Sequence, residues 1–250
     1  MKNKLLDKTL QVLEVIASSP EPRSLKGISS ELGVAPGTLS RIVADLCEYG
    51  LIEKFGYHQV RPSLGMIRLG QDAMTNFSLP RIVPPLIRSH AEAAEANGSF
   101  AGMHNWKLVY LYNSSGHSEQ TPAQPLGLPY WEPVLRSRMA AVILGTRHEE
   151  AVLKELLNRR FVMKNESPHV DFFLENCRQV RKNGYVAYRE FGRGWSVNFP
   201  VWCNEHVYGV SLFGQDAEHC NLERMIFETS LLASRLTSAL DEHINRRDPR

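Results

Sequence analysis

The sequence has 250 residues, enough for one large domain or two smaller ones, and its 43% hydrophobic and 22% charged residues argue against a disordered or fibrous protein. The net charge of +2 excludes no class of partner, and residues 1–62 are almost neutral, with eight Lys/Arg against seven Asp/Glu. No apolar stretch reaches the roughly 20 residues that cross a bilayer. The four cysteines are scattered without a CxxC pair, so we expect a reducing, cytoplasmic location.

The first 50 residues predict three short helices. Apolar residues recur at helical spacing over residues 5–17. Ser24 is a good N-cap for a second helix, Gly33 suits the residue that follows it, and Pro36 suits the first turn of a third helix. The third helix carries a core stripe at positions i, i+3, i+4 and i+7, namely Leu39, Ile42, Val43 and Leu46.

Residues 51–61 contain a central glycine turn and predict two short strands. Three helices followed by a hairpin are typical of a winged helix-turn-helix, although any three-helix unit that precedes a hairpin would give the same order. Because the cap, the turn, the stripe and the hairpin agree, we predict a DNA-binding domain over residues 1–62.

The predicted third helix would place its exposed face in the major groove of DNA. Arg41 is the candidate for bidentate recognition of guanine. Thr38 and Ser40 are candidates for bonds to a phosphate or a base, and Gly37 would let the start of the helix approach DNA closely. Ordinary solvated surface positions are the competing interpretation for each polar residue. Candidates for backbone contacts lie in the preceding helix and the wing: Ser24, Lys26, Lys54, His58 and Arg61.

Residues 63–79 predict a linker helix that is apolar on two sides. Such a helix must bury both sides, and between two domains the natural second partner is another subunit. We therefore expect a homodimer joined through this helix. Two winged heads would bind the two half-sites of a pseudo-palindromic operator.

Residues 80–250 predict one unit in which an antiparallel sheet is flanked by helices, so the fold class is α+β with two domains. A first helix is predicted over residues 81–97, with Gly98 ending it. The remaining helices are predicted over 134–144, 149–157, 170–183 and 222–244. The strands are predicted over 99–104, 107–112, 185–190, 195–202 and 207–213.

Several motifs together resemble the IclR family of transcription regulators, and the resemblance extends over nearly the whole chain. Residues 28–46 match its helix-turn-helix segment, with a glycine turn, Thr38 and Arg41 at the family's spacing. Residues 64–70 are similar to its Leu-Gly…Leu-Gly linker start. Further matches lie at 184–185, 199–201 and 209–211. The chain departs from the family pattern at Pro36, Gly37, Ser137, Arg138 and Ser196.

This resemblance implies a winged helix-turn-helix, a linker helix and a GAF-like effector-binding domain. It also implies dimers that pair into tetramers, a double-stranded DNA operator, a small-molecule effector, no cofactor, and a regulator rather than an enzyme. The sequence contains no nucleophile elbow, H-E-x-x-H helix, P-loop or Rossmann fingerprint. A winged-helix module for protein contacts, joined to a structural sensor-like domain, is the alternative that the near-neutral charge leaves open.

The predicted effector site lies beside the second sheet. Alternation along the strands places Ser196 with Asn198, and Ser211 with Phe213, and these residues with Glu190 would line a pocket. Arg136 and Ser137, at the start of a predicted helix, would bind a carboxylate. Small organic acids, sugar acids and aromatic acids all fit this chemistry. Aromatic residues near the long loop would form an apolar wall, unless they are ordinary core residues: Tyr130, Trp131 and Trp195.

A zinc site is a second, weaker hypothesis for this domain. The four candidate ligands are Cys203, His206, His219 and Cys220. A loop with incidental cysteine and histidine residues is the simpler interpretation.

Overall fold

A computed structural model describes residues 4–76, 79–114, 117–118, 121–122, 134–160, 167–190, 194–214 and 221–247. The chain divides into two compact units, Met1–Asn76 and Phe77–Arg250. The helices of the first unit are α1 (Lys4–Ala17), α2 (Leu25–Leu32), α3 (Pro36–Glu48) and α4 (Leu64–Asn76). Its strands are β1 (Arg23–Ser24), β2 (Ile52–Phe55) and β3 (Gln59–Pro62).

The first unit has the local structure that the sequence predicts. Ser24 caps α2, its Oγ accepting a hydrogen bond from the Gly27 amide at 3.1 Å, and Gly33 follows α2 in the left-handed region at φ 60°. Pro36 begins α3. The predicted stripe of α3 is buried against α1, α2 and the hairpin, forming a small core that includes Val12, Ile16, Ile28, Val34, Leu39, Ile42, Val43, Leu46, Ile52 and Val60.

The hairpin is part of a three-stranded antiparallel sheet with the order β1-β3-β2. The two-residue strand β1 was not predicted, and it pairs Arg23 with Val60 and Ser24 with Gln59. The Leu25 amide also donates a hydrogen bond to the His58 carbonyl at 3.1 Å. Strand β3 of the wing therefore pairs with β1, at the start of α2, as well as with β2 in the hairpin.

The second unit contains α5 (Leu79–Ala93), β4 (Ala96–His104), β5 (Lys107–Asn113), β6 (His117–Ser118) and β7 (Thr121–Pro122). A 3-10 turn (Val134–Arg136) then precedes α6 (Arg138–Arg147), α7 (Glu150–Arg160) and α8 (Ser167–Asn183). The last elements are β8 (Val186–Glu190), β9 (Gly194–Cys203), β10 (His206–Gly214) and α9 (Leu222–Arg247).

A five-stranded antiparallel sheet with the order β5-β4-β10-β9-β8 forms the centre of this unit. One face packs against α5 and α9 in an apolar core that includes Ile87, Val197 and Leu232. The other face packs against α6 and α8 in a second core that includes Ala101, Ile143 and Phe173. The prediction of an antiparallel sheet flanked by helices is confirmed.

Several helix boundaries in this unit differ from the prediction by one to four residues, and two of the differences change how a residue is interpreted. Helix α5 ends at Ala93, four residues earlier than expected, because Glu95 takes a left-handed conformation at φ 52° and Ala96 begins β4. Gly98 is therefore a strand residue and not a helix terminator. The predicted helix at Val134 is divided: a 3-10 turn ends at Arg136, and α6 begins at Arg138 after the Ser137 N-cap.

None of the helices in the described ranges combines the length and the apolar character that a membrane span requires.

Candidate nucleic-acid interface and ligand site

The outer face of α3 is the first candidate site. Four buried residues hold the opposite face of this helix in the core, so Gly37, Ser40 and Arg41 are exposed while Thr38 is half-buried. Within the described part of the chain, Arg41 has no ion-pair or hydrogen-bond partner. Its guanidinium is therefore available to an acceptor outside the protein. Guanine O6 and N7 are acceptors that match its geometry.

The wing presents a second group of exposed side chains. Lys54, Tyr57 and His58 are all exposed, and the Tyr57 and His58 rings lie edge to face with their centroids 4.0 Å apart. Arg61 differs because its Nε donates to Glu53 at 2.6 Å and its guanidinium lies 4.6 Å from the Phe55 ring centroid. Lys54 and His58 are consequently the wing residues whose cationic or polar groups are least engaged within the hairpin.

A cleft of about 220 Å³ separates α3 from the wing. It is lined by Leu25, Ser40, Val43, Ala44, Lys54, Gly56, His58, Gln59 and Val60. The cleft thus brings together three predicted DNA contacts, Ser40, Lys54 and His58, from two different elements. Lys26 is exposed on α2, whereas the Ser24 hydroxyl is already engaged as a helix cap.

The second candidate site is a set of buried polar residues on the sheet face beneath α6. The register pairs Ser211 with Asn198, Phe213 with Ser196 and Ser99 with Ser211, so all five residues project from one face. Four of them are polar, and each is at most 4% exposed. Ser99 was not predicted, but its position opposite Ser211 gives it the same environment.

The hydrogen bonds within this set are long. Ser196 Oγ and Ser211 Oγ are 3.3 Å apart, and Asn198 Nδ2 donates to Ser196 Oγ and to the Val186 carbonyl at 3.4 Å each. Buried polar groups usually make shorter bonds, because leaving them poorly satisfied costs free energy. Within the described part of the chain, these side chains are therefore only weakly hydrogen-bonded to one another.

The structure places the two residues predicted to bind a carboxylate differently from each other. Arg136 is exposed in the 3-10 turn. Ser137 is buried, and its Oγ accepts a hydrogen bond from the Ala140 amide at 3.2 Å, so it already serves the helix as an N-cap.

Arg138, which the sequence analysis did not assign to the site, lies over this face of the sheet. Its guanidinium carbon is 3.9 Å from the Tyr188 ring centroid and 4.8 Å from the Phe172 ring centroid. Tyr188 pairs with Ser196 across β8 and β9. The Arg138 Nε atom is buried and has no hydrogen-bond partner among the described residues.

The prediction that Trp195 lines the same pocket as Ser196 is wrong. Successive strand residues point to opposite faces, and Trp195 packs against the core formed with α5 and α9. Glu190 ends β8, but its side chain lies outside the described part of the chain, as do Tyr130 and Trp131.

The zinc hypothesis concerns a hairpin between β9 and β10. Cys203 is buried and pairs in register with the exposed His206, and burial, with the neighbouring Asp241 charge, raises the pKa of its thiol. His219 and Cys220 lie outside the described residues. Among the residues that the structure does describe, no three potential ligands cluster around a metal position.

Comparison with known proteins finds one family model that matches part of the first unit. Residues 5–55 match the family model of the IclR helix-turn-helix domain. No curated protein matches the sequence significantly.

Solved structures resemble the chain over nearly its whole length. An IclR family transcriptional regulator from Brucella abortus is 20% identical with a TM-score of 0.79, covering 96% of this chain and 93% of its own. An IclR homolog from Microbacterium hydrocarbonoxydans, complexed with 4-hydroxybenzoate, is 16% identical with a TM-score of 0.66, and the coverages are 96% and 100%. The Thermotoga maritima IclR is 19% identical with a TM-score of 0.54, and the coverages are 94% and 98%. At these identities the likeness establishes the shared fold.

Proposed function

We propose that the protein is a sequence-specific DNA-binding regulator whose operator affinity is modulated by a small carboxylic or sugar acid. Two findings support this: residues 5–55 match the IclR helix-turn-helix domain, and the chain has the fold of IclR family transcriptional regulators. The DNA-binding part of this proposal is carried by Arg41, which is exposed, has no partner among the described residues and lies on a helix anchored by four buried residues. The protein would act in the cytoplasm.

In the proposed complex, α3 enters the major groove and the wing reaches the adjacent backbone. Arg41 contacts a base edge, with Thr38 and Ser40 beside it, and Gly37 leaves room at the start of the helix. Lys54 and His58 contact the phosphates that pass the cleft. Lys26 and Arg61 add contacts to the DNA backbone. The Arg61 contact is the weaker one, because Arg61 already pairs with Glu53.

The proposed effector binds beneath α6, against Ser99, Ser196, Asn198 and Ser211. This location is supported by the buried but poorly satisfied polar groups, which a ligand with hydroxyl or carboxylate oxygens would complete. One similar structure holds 4-hydroxybenzoate, a small hydroxylated acid. A ligand at this site alters operator affinity only if it favours one arrangement of the DNA-binding heads over another.

We also propose a homodimer joined through α4, which places two heads on two half-sites. Apolar side chains on α4 are exposed in the single chain, with Leu64 at 81%, Ile67 at 57% and Leu69 at 49%. Pairing of dimers into tetramers remains a further expectation of the family resemblance.

The experiment that tests the function is selection of DNA from a random pool by the purified protein, followed by affinity measurements at several salt concentrations. A regulator binds the selected sequence on the order of a thousandfold or more tightly than a scrambled duplex, and loses affinity as salt rises. Equal affinity for both duplexes would favour the protein-contact module instead.

A further inference from the structure

We infer that Arg138, and not the exposed Arg136, is the residue that binds the carboxylate of the effector. The inference rests on the proposed function, because it assigns the chemistry of the same pocket. It identifies the ligand class as a hydroxylated monocarboxylic acid. The carboxylate pairs with Arg138, and the hydroxyl reaches the polar residues of the sheet.

The position of Arg138 over the sheet is the first observation. Its guanidinium carbon lies over the Tyr188 ring on β8, 3.9 Å from the ring centroid, and over the Phe172 ring on α8, 4.8 Å from that centroid. Contact with two aromatic rings restricts the rotamers of the Arg138 side chain and holds its charge at this place. An arginine held in this way is pre-organised for a planar anion.

The unsatisfied donor is the second observation. Arg138 Nε is buried, and no acceptor in the described residues receives its hydrogen bond. A desolvated donor on a charged group is costly unless a partner arrives. A carboxylate oxygen on Nε, with its second oxygen on a neighbouring Nη, forms the bidentate pair that guanidinium groups favour.

The neighbouring polar residues define the rest of the ligand. Tyr188 lies opposite Ser196 in the sheet register, and Ser196 lies within 3.4 Å of both Asn198 Nδ2 and Ser211 Oγ. The guanidinium of Arg138 thus lies over β8, the strand that pairs with β9 and its polar residues Ser196 and Asn198. This arrangement suits one negative charge at the Tyr188 end and a neutral hydroxyl toward Ser211.

The sequence alone favours Arg136 because it directly precedes the predicted cap of the helix. In the structure Arg136 is exposed, and Ser137 uses its hydroxyl to cap the Ala140 amide. Neither residue therefore presents an unsatisfied buried group, whereas Arg138 does.

The test measures binding of three acids, lactate, gluconate and 4-hydroxybenzoate, and of their neutral amides, by calorimetry with the full-length protein. We expect at least one acid to bind and its amide not to bind. Arg138→Lys keeps the charge but loses the planar fork, so the affinity for that acid should fall about ten- to hundredfold. Arg147→Lys, at the exposed end of the same helix, is the matched control and should bind normally.

A second readout follows the Arg138 side chain directly. The Nε–H resonance that disappears in Arg138→Lys is assigned to Arg138 by ¹H–¹⁵N NMR, and the binding acid should shift it. The far-UV circular dichroism spectrum of Arg138→Lys is compared with that of the wild type to check that the variant is folded.

Three outcomes would overturn the inference. Undiminished acid binding by Arg138→Lys, or a loss in Arg136→Lys alone, would reject Arg138 while leaving a small-acid regulator in place. Equal binding of acid and amide would reject the anionic contact. Failure of all three acids to bind would reject the inference together with the small-acid part of the proposed function, whereas specific DNA binding would survive as a separate result.

Discussion

Gly65 lies so close to Gly50 that a Cβ atom on Gly65 would be only 2.0 Å from the Gly50 carbonyl oxygen. Ser63 reinforces this contact, since its hydroxyl donates to the same carbonyl and its amide donates to Leu51 O at 3.1 Å. The first turn of α4 is therefore docked tightly where α3 passes into the hairpin.

We predict that Gly65→Ala destabilises the DNA-binding unit by about 1–3 kcal/mol, because the added methyl group displaces α4 or the backbone at Gly50. Gly70→Ala is the matched control on the same helix. Its Cβ would meet no atom within 4 Å, so this substitution should instead stabilise the helix by about 0.5–1 kcal/mol. Denaturant unfolding of both variants measures the difference, and destabilisation of equal size at the two positions would contradict the close contact.

The local features of the first unit were predictable because each depends on neighbouring residues. Ser24 caps the N-terminus of α2, and Gly33 takes a positive φ at its C-terminal end. Leu39 begins the stripe of apolar residues that determines which face of α3 is buried. Strand β1 was missed because two residues carry no periodicity. Its pairing with β3 depends on tertiary contact alone.

Gly98 illustrates why the second unit was harder to predict. The sequence suggested a helix terminator, but a Cβ at Gly98 would lie 2.3 Å from Ile87 Cγ2, so the glycine allows α5 to pack closely on β4. A close approach between two elements that are packed together in the fold leaves no pattern in the local amino-acid sequence. The same reason applies to Arg138, whose role depends on Tyr188, fifty residues later in the sequence.

The proposed dimer predicts that Ile67→Glu impairs self-association, since the carboxylate would be buried against a second subunit without a partner. Val152→Glu is the control, because Val152 on α7 is an apolar residue of similar exposure, 47% against 57%. Sedimentation velocity should show a smaller species for Ile67→Glu only. An unchanged sedimentation coefficient would exclude Ile67 from the interface.

Cys177 should be unreactive in the folded protein. Burial raises the pKa of its thiol from 9.0 to about 12, so at pH 9 the thiolate that reacts with alkylating reagents is scarcely populated. The unfolded chain releases this proton near pH 9 while the folded chain keeps it. The thiol therefore has no effect on stability below pH 9 and lowers stability as the pH rises from 9 toward 12.

Iodoacetamide labelling at pH 9, followed by mass spectrometry, tests this prediction. The half-buried Cys47 is the internal comparison and should be labelled much faster than Cys177. Equal labelling rates in the native protein would show that Cys177 is accessible and ionised.

The most direct test of the account compares Arg41→Ala with Lys54→Ala on the selected operator and on operators mutated at single base pairs. If α3 recognises bases, Arg41→Ala loses about 1–3 kcal/mol of operator affinity and its preference at one position of each half-site. Lys54→Ala should weaken binding to all DNA sequences equally. The salt dependence of the affinity should fall by the amount expected for the loss of about one phosphate contact. Wild-type affinity and sequence preference in Arg41→Ala would contradict the claim that the exposed face of α3 binds the major groove.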